Sequence, residues 1–560
     1  MDLKAVFAQR LEAVLDGKVD YHEIYPLIEV PKNKDFGDLA FPCFQLAKLD
    51  KKPPAQIAEE LATQLSSPIL SEIHAMGPYV NVSFCSKTIG KDILTAILQA
   101  GESYGESDGG IGKTVVLDMS SPNIARPFSM GHLRSTVIGH SLSKIAAKCG
   151  YKTVKINHLG DWGTQFGKLI VAYKKWGDKE KVELHPIEEL RTLYVKFHEE
   201  AEKKPELNEE ARAAFKELEQ GSEEYLTLWN WFRKESLKAF HEIYDLLGVN
   251  FDSYNGEAFF NDKMEKIVCL LGDRGLLEKS EGALVVPLEE GLPPCLIRKT
   301  DGATLYATRD LAAALYRKQE YNFDEMLYVV GQEQTVHFKQ ITGVLDKLQF
   351  KWAHSIKHIP FGLYLKDGKR MSTRKGKVVL LGEVLKEAVD LALANILEKN
   401  PDLPDSMEVA KDVGVGAVVF HDLKSDRLNS IEFSLKDMLT FEGETGPYIQ
   451  YTHARAHSIL RKRKEKEYRF SGLDDKESWE IIKLLNEFPA VIARSYSAYS
   501  PSLLAKYLIE LSKSFNKYYG KVRIIEEDED LLSRLSLVKA VADILAEGLQ
   551  LLGIGAPKEM

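Results

Sequence analysis

Cysteine is scarce in this chain. There are 5, at positions 43, 85, 149, 269 and 295, and no two form a CxxC pair. Neither a disulfide framework nor a zinc site is indicated by this spacing, and a reducing cytoplasm fits. Long apolar runs are lacking as well. None reaches the length of about 18 residues that a membrane-spanning helix requires. The opening stretch, MDLKAVFAQRLEAVLDGKVD, carries acidic residues on an amphipathic helical pattern and is no signal peptide. Excess positive charge is missing too. The net charge of -9 argues against a protein that coats nucleic acid without specificity, but permits a local basic face. A phosphate-binding P-loop is excluded at Gly112-Lys113-Thr114. Ser107 stands where glycine is required, and a strand pattern follows where a helix should.

The 560 residues, 44% of them hydrophobic, are enough for roughly two to four domains with their own cores. The chain is organised around residues 113–168. Thr114 to Met119 is a strand-type apolar run. Leu133, Val137, Ile138, Leu142, Ile145 and Ala146 repeat at helical spacing, and Tyr151 to Leu159 alternates like a second strand. This spacing predicts a right-handed parallel βαβ unit. Its first loop holds Pro122, Pro127, Gly131 and His132. Gly131 leaves room for a flat ring or a phosphate, and a helix start favours an anion. Open parallel sheets bind ligands at this end of a strand.

Residues 1–105 read as a small α/β module. Pro54 to Leu65 is helical, Tyr79 to Phe84 is a strand, and Lys34 to Phe41 leads into a short helix. Residues 172–250 are highly charged and sparsely apolar, as expected of a helical insertion standing off the sheet. Leu327 to Val330 is a buried-type strand, followed by polar Gln332, Glu333, Gln334 and His337. Lys366 to Leu380 holds six basic residues in a Gly-flanked loop, chemistry that meets polyphosphate. From about 435 onward the pattern is helical. His453 and His457 stand at i and i+4 with no third ligand in sight, so they are assigned to packing or surface. Arg455 to Arg469 is the densest basic stretch, and Tyr448, Tyr451, Tyr496, Tyr499, Tyr518 and Tyr519 are rings that could stack on bases.

Three motifs together resemble one family, the class I arginyl-tRNA synthetases. They are Ser120 to Pro127 with Gly131-His132 and Leu133 to Thr136; Asn157 to Gly167 (NHLGDWGTQFG); and Gly443 to Tyr451 (GETGPYIQY) with His453-Ala454-Arg455. The resemblance covers nearly the whole chain. It implies a Rossmann-type parallel-sheet catalytic domain with helical insertions (110–375, insertion about 172–250), an N-terminal α/β domain touching the tRNA elbow (1–105), a connecting helical region (376–435) and a helical anticodon-binding bundle (436–560). The implied reaction is ATP-dependent activation of L-arginine, then transfer to the 2′-hydroxyl of the terminal adenosine of tRNA. Activation usually requires bound tRNA in this family.

The family's HIGH signature is written Ser129-Met130-Gly131-His132 here, with serine for the first histidine. Its KMSKS signature is written Arg370-Met371-Ser372-Thr373-Arg374, and Arg126 replaces a lysine. Arginine keeps the charge but presents a fork rather than a point. By resemblance, Ser129, His132, Arg126, Lys369, Arg370 and Arg374 are catalytic, meeting the phosphates. Pro122, Gly131, His132, Met371 and Ser372 hold ATP. Asp118, Asn123, His132, Glu257, Tyr306, Asp310 and Gln334 line the arginine pocket. Asp310 is the leading partner for the guanidinium, and by position it also reads as a helix N-cap. Phe36, Tyr448, Tyr451, Arg455 and Arg461 are expected on tRNA. Mg2+ is expected to accompany ATP without a protein metal site, and the chain to act as a monomer. The rival readings are a catalytically silent tRNA-binding paralogue and a synthetase for glutamate or cysteine. The acidic pocket and the absence of zinc ligands oppose the latter.

Overall fold

The computed structural model describes residues 1–126, 128–289, 291–300, 306–371, 379–463 and 468–560. Two compact units divide the chain. The first comprises Met1–Tyr104, Ala456–Phe488 and Leu511–Ile544. The second comprises Gly105–Arg455, Pro489–Glu510 and Leu545–Met560.

In the first unit, β1 (Leu39–Pro42), β2 (Leu70–Met76) and β3 (Tyr79–Phe84) form an antiparallel sheet in the order β1-β3-β2. The helices Leu3–Leu15, Pro54–Gln64 and Ser86–Ala100 bury Leu11, Ile57 and Ile93. Gly37 has φ +105°, and a Cβ there would lie 2.7 Å from the Val82 carbonyl oxygen. Asp38 beside it accepts from the Phe84 N–H at 2.9 Å and from Lys483 Nζ at 2.8 Å. The Phe36-Gly37-Asp38 segment is therefore a structural clasp within this unit. The periodicity left β1 and β2 unseen: β1 is only four residues long and buried on both faces, and the burial of β2 does not alternate along its seven residues.

The second unit is built on a parallel sheet. β4 (Thr114–Asp118) is flanked by β5 (Lys152–Ile156) and β9 (Glu325–Gly331), and β10 (Ile356–Phe361) lies outside β9. Between β5 and β9 the chain makes a separate antiparallel sheet of β6 (Glu278–Ser280), β7 (Ala283–Val286) and β8 (Cys295–Arg298). After β10 come β11 (Tyr364–Lys366), its antiparallel partner β12 (Lys369–Arg370) and β13 (Ile431–Glu432), which runs parallel to β11. Val115, Val116 and Leu117 are fully buried, as a central parallel strand with both faces covered must be. The helix Met130–Lys148 carries the chain from β4 to β5, and Thr335–Lys347 carries it from β9 to β10. The two crossovers lead away from the central β4–β9 pair in opposite directions along the sheet. A crevice opens between the carboxyl ends of β4 and β9, the switch point where such sheets take ligands.

The charged insertion does not simply stand off the sheet. Its last helix, Glu223–Leu247, buries Trp229, Phe232, Phe240 and Tyr244, and Tyr244 reaches the loop after β4. Among the described residues, no helix is long and apolar enough to cross a membrane.

Candidate active site

A cavity of about 710 Å³ occupies the switch point. Its walls come from the loop after β4 (Ser120, Ser121), the start of the next helix (Ser129, Gly131, His132), the end of β9 (Val330, Gly331) and the β11–β12 hairpin as far as Met371. Gly131 and Met371, more than two hundred positions apart in sequence, thus share one cavity.

The loop after β4 is held in an unusual backbone path. Ser120, Ser121 and Ala125 have φ of 71°, 50° and 57°, a region that side chains other than glycine seldom adopt. Each is tied down. The Ser120 N–H donates to Ser135 Oγ at 2.8 Å, and the Ala125 N–H donates to Ser236 Oγ at 3.0 Å. Tyr244 Oη lies 2.8 Å from Ser120 Oγ and accepts from Asn157 Nδ2 at 2.8 Å. Burial, partly opposed by these two bonds, raises the Tyr244 phenol's pKa, so it stays a neutral link. Three separate stretches of sequence, including the insertion, brace the loop.

Ser129 is the N-cap residue of Met130–Lys148. Its backbone N–H donates to His132 Nδ1 at 3.1 Å. An N–H can only donate, so the ring proton belongs on Nε2. Burial pushes the His132 pKa down to about 4, and the ring is neutral at physiological pH. It faces the cavity as a neutral donor on a helix N-terminus, which suits phosphate. An added Cβ at Gly131 would meet only Ser129 Oγ, at 3.6 Å, leaving the backbone open to a flat ring. Arg126 is exposed, and Lys369 is exposed on β12. Arg370 pairs with Leu365 through its backbone, and the Met371 N–H donates to the Tyr364 carbonyl at 3.1 Å. Pro127, the Arg370 side chain, Ser372, Thr373 and Arg374 lie outside the described residues.

The acidic residues expected around arginine lie near the same end of the sheet, and each already has a partner. Asp118 closes β4 with its carboxylate 2.8 Å from Arg317 Nη1, both nearly buried, and accepts from Ser121 Oγ at 2.9 Å. Glu257 lies 3.6 Å from Arg309 Nη1, and burial raises its carboxyl pKa to about 7 although Arg309 opposes this. Asp310 lies 2.6 Å from His337 Nε2. It sits one turn inside the helix Tyr306–Tyr321, so the N-cap reading fails for Asp310. Tyr306 is 66% exposed with the Arg309 guanidinium 5.8 Å from its ring centre. Gln334 lines the cavity, and Asn123 bridges Gly160, where an added Cβ would run into the Asn123 side chain. Asp161 of the second motif accepts from Arg233 Nε at 3.0 Å and from the Ala258 N–H at 2.9 Å, fixing the stretch that carries Glu257.

The expected tRNA contacts divide between the units. Phe36 is 38% exposed and Arg461 is exposed in the first; Tyr451 is 40% exposed in the second, with Arg455 4.8 Å from its ring centre. Tyr448 is half-buried, its N–H donating to Thr445 Oγ1 at 3.2 Å. Tyr518 is fully buried, and Tyr496 donates to Glu325 at 2.8 Å, so neither ring is open to a base. Buried His453 Nδ1 lies 2.9 Å from the Pro557 carbonyl, a packing role.

The family description "tRNA synthetases class I (R), catalytic domain" matches residues 93–435. Arginine–tRNA ligase 2 of Bacillus anthracis is 58% identical over 562 residues, covering 100% of both chains. The chain belongs to the arginyl-tRNA synthetase family. Arginine–tRNA ligase of Enterococcus faecalis is 56% identical, again over 100% of both. "Arginyl tRNA synthetase N terminal domain" matches residues 1–84, and "DALR anticodon binding domain" matches 449–560. Among solved structures, Thermus thermophilus arginyl-tRNA synthetase superposes with a TM-score of 0.81 at 26% identity, covering 100% of both chains. The fold is that of a class I synthetase: a parallel catalytic sheet, an N-terminal domain and a C-terminal helical domain.

Sequence reasoning missed Arg317, Arg309 and Tyr244, and it placed His337 in the polar cluster after β9 without pairing it to Asp310. Arg317 alone left a usable signal. It lies seven positions after Asp310 on the same helical face, amid Leu311, Ala312 and Ala314, where a lone cation needs a buried partner.

Proposed function

We propose that this chain is an arginine–tRNA ligase, with the observation of Gly131, His132 and Met371 in one cavity carrying the reading. The α-carboxylate of arginine attacks the α-phosphorus of ATP, pyrophosphate leaves, and the arginyl group passes to the 2′-hydroxyl of the terminal adenosine of tRNA. No covalent intermediate with the protein is involved. Positioning and charge stabilisation do the chemistry. Gly131 and Pro122 receive the adenine side of ATP, and Met371 and Ser372 also bind ATP. Ser129 and the neutral His132 donate to phosphate, and Arg126, Lys369, Arg370 and Arg374 meet the developing charge. Among the described residues the cavity wall offers hydroxyls, the His132 imidazole, the Arg134 guanidinium, the Gln334 amide and the Glu333 carboxylate, a set that fits Mg2+ arriving on the phosphates of ATP rather than a cation held by the protein alone.

Asp310 grips the guanidinium, with Glu257, Tyr306, Gln334 and Asn123 around it. Asp118, engaged by Arg317, supports the pocket through that ion pair. Phe36, Tyr448, Tyr451, Arg455 and Arg461 hold tRNA, and residues 1–105 and 436–560 are the elbow and anticodon modules. The chain works as a cytoplasmic monomer. ATP–pyrophosphate exchange, with and without tRNA and against a panel of amino acids, tests the reading. Exchange driven by arginine alone among the panel is expected. Intact tRNA binding with no exchange would favour the silent paralogue instead.

Glu257 gives the reaction a pH signature. With a pKa near 7 it is half-protonated at neutral pH. A bound guanidinium favours the ionised carboxylate, so arginine binding releases a proton and tightens as pH rises. If only the ionised form binds, the KM for arginine falls roughly tenfold from pH 6 to pH 8.5 and then levels. Glu257→Gln should flatten that profile in exchange assays while the KM for ATP keeps its wild-type pH dependence.

A further inference from the structure

Three carboxylates are assigned to the arginine pocket, and their partners differ in kind. Asp118 faces Arg317, a permanent cation 1% exposed. Glu257 faces Arg309 across 3.6 Å. Asp310 faces an imidazole, His337, with 24% of each side chain exposed. A guanidinium cannot shed its charge, so Asp118 stays neutralised whatever ligand enters. An imidazole can donate one hydrogen bond while uncharged, which leaves the carboxylate its full negative charge. An ionised carboxylate has about four acceptor positions, so one bond from His337 leaves room for a two-pronged cation.

The placement of His337 suits a fixed support. It is the third residue of Thr335–Lys347, directly after the Gln332–Gln334 turn that ends β9. Asp310 belongs to a different helix, Tyr306–Tyr321. The 2.6 Å contact therefore joins two elements and pins the carboxylate from outside its own helix. A free aspartate rotates about χ1 and χ2, and a fork-to-fork contact demands one plane.

We propose that His337 is a positioning residue for amino-acid specificity. Its Nε2–H holds the Asp310 carboxylate in the plane that a planar guanidinium can meet with two bonds and a lysine ammonium cannot. The inference rests on the assignment of Asp310 to the guanidinium.

His337→Ala and His337→Gln, with Asp310→Asn and the double variant Asp310→Asn/His337→Ala, separate the two ideas. Exchange and aminoacylation are measured with the full-length protein and tRNA, with thermal melts as the folding control. His337→Ala should raise the KM for arginine roughly tenfold to a hundredfold, with the KM for ATP within about twofold, and should narrow the arginine-over-lysine ratio by a similar factor. His337→Gln, whose amide can donate in the same direction, should recover most of both. The double variant should be no worse than Asp310→Asn alone. An unchanged KM for arginine in His337→Ala, alongside a raised one in Asp310→Asn, would overturn the role of His337. So would equal losses toward arginine and ATP, or additive effects in the double variant. An unchanged KM in Asp310→Asn would overturn the underlying assignment instead.

Discussion

Asp310→Ala is expected to lower kcat/KM for arginine by about 10² to 10⁴, the loss of two hydrogen bonds to a charged group at roughly 1.5–3 kcal/mol each. The KM for ATP should hardly move. The Asp310 carboxylate is carried by the helix Tyr306–Tyr321 and does not line the cavity of the Gly131 turn, to which ATP is assigned. The same variant should accept lysine and citrulline with a smaller penalty relative to arginine. The wild-type site punishes a ligand that leaves a half-buried carboxylate without its fork, and alanine removes the group that is left unpaired. His337 would then face a gap where its acceptor stood, which adds a loss of stability measurable as a lower Tm. Steady-state aminoacylation across the three amino acids decides the matter. Arginine charging that survives unchanged, with its selectivity intact, would remove Asp310 from the pocket and shift the guanidinium toward Glu257.

The βαβ unit around the first motif was legible because its signals are local. The apolar run at Thr114, the helical spacing from Leu133 to Ala146 and the Gly131-His132 start each need only a short window of chain. The structure returns β4, the helix Met130–Lys148 and β5 at those places, with β4 and β5 paired in parallel. The helix Pro54–Gln64 and the strand β3 likewise fall where their periodicity put them, whereas the helix expected to open at Asp310 already runs from Tyr306 to Tyr321. Strand order was not legible. That β9 lies against β4, with Tyr328 opposite Asp118, depends on pairing across about two hundred residues, which no local pattern encodes.

The site was legible as a set of residue types and not as a set of pairs. Asp118, Glu257 and Asp310 were singled out as anions awaiting a cation, but the chain supplies Arg317, Arg309 and His337 to them from elsewhere. The loop conformation escaped too. Ser120, Ser121 and Ala125 take positive φ without any glycine to announce it, since tertiary bonds from Ser135, Asn157 and Ser236 impose the path. The insertion's charge suggested a detached element, but the last of its helices is rich in apolar residues and buries Trp229, Phe240 and Tyr244, the last of which bonds to the loop after β4.

His132→Ala is expected to lower kcat for ATP–pyrophosphate exchange by about 10² to 10³, the usual cost of one preorganised donor at a developing negative charge. The physical basis is specific to this turn. The Ser129 N–H occupies Nδ1, so the ring can present only Nε2–H to the cavity, and it does so without carrying charge. A pKa near 4 means that the donor does not switch off between pH 6 and pH 9. The pH dependence of kcat in that range should therefore be the same in wild type and in His132→Asn, whose amide can still donate. Asparagine should recover part of the alanine loss, because direction and neutrality matter here and positive charge does not. A histidine acting through its charged form would behave differently. Its activity would fall as pH rises through the imidazole range, and asparagine would rescue nothing. Measuring kcat for wild type, alanine and asparagine at pH 6, 7 and 8.5 separates the two accounts. A wild-type decline with rising pH, absent from asparagine, would overturn the neutral-donor role even if alanine proved inactive.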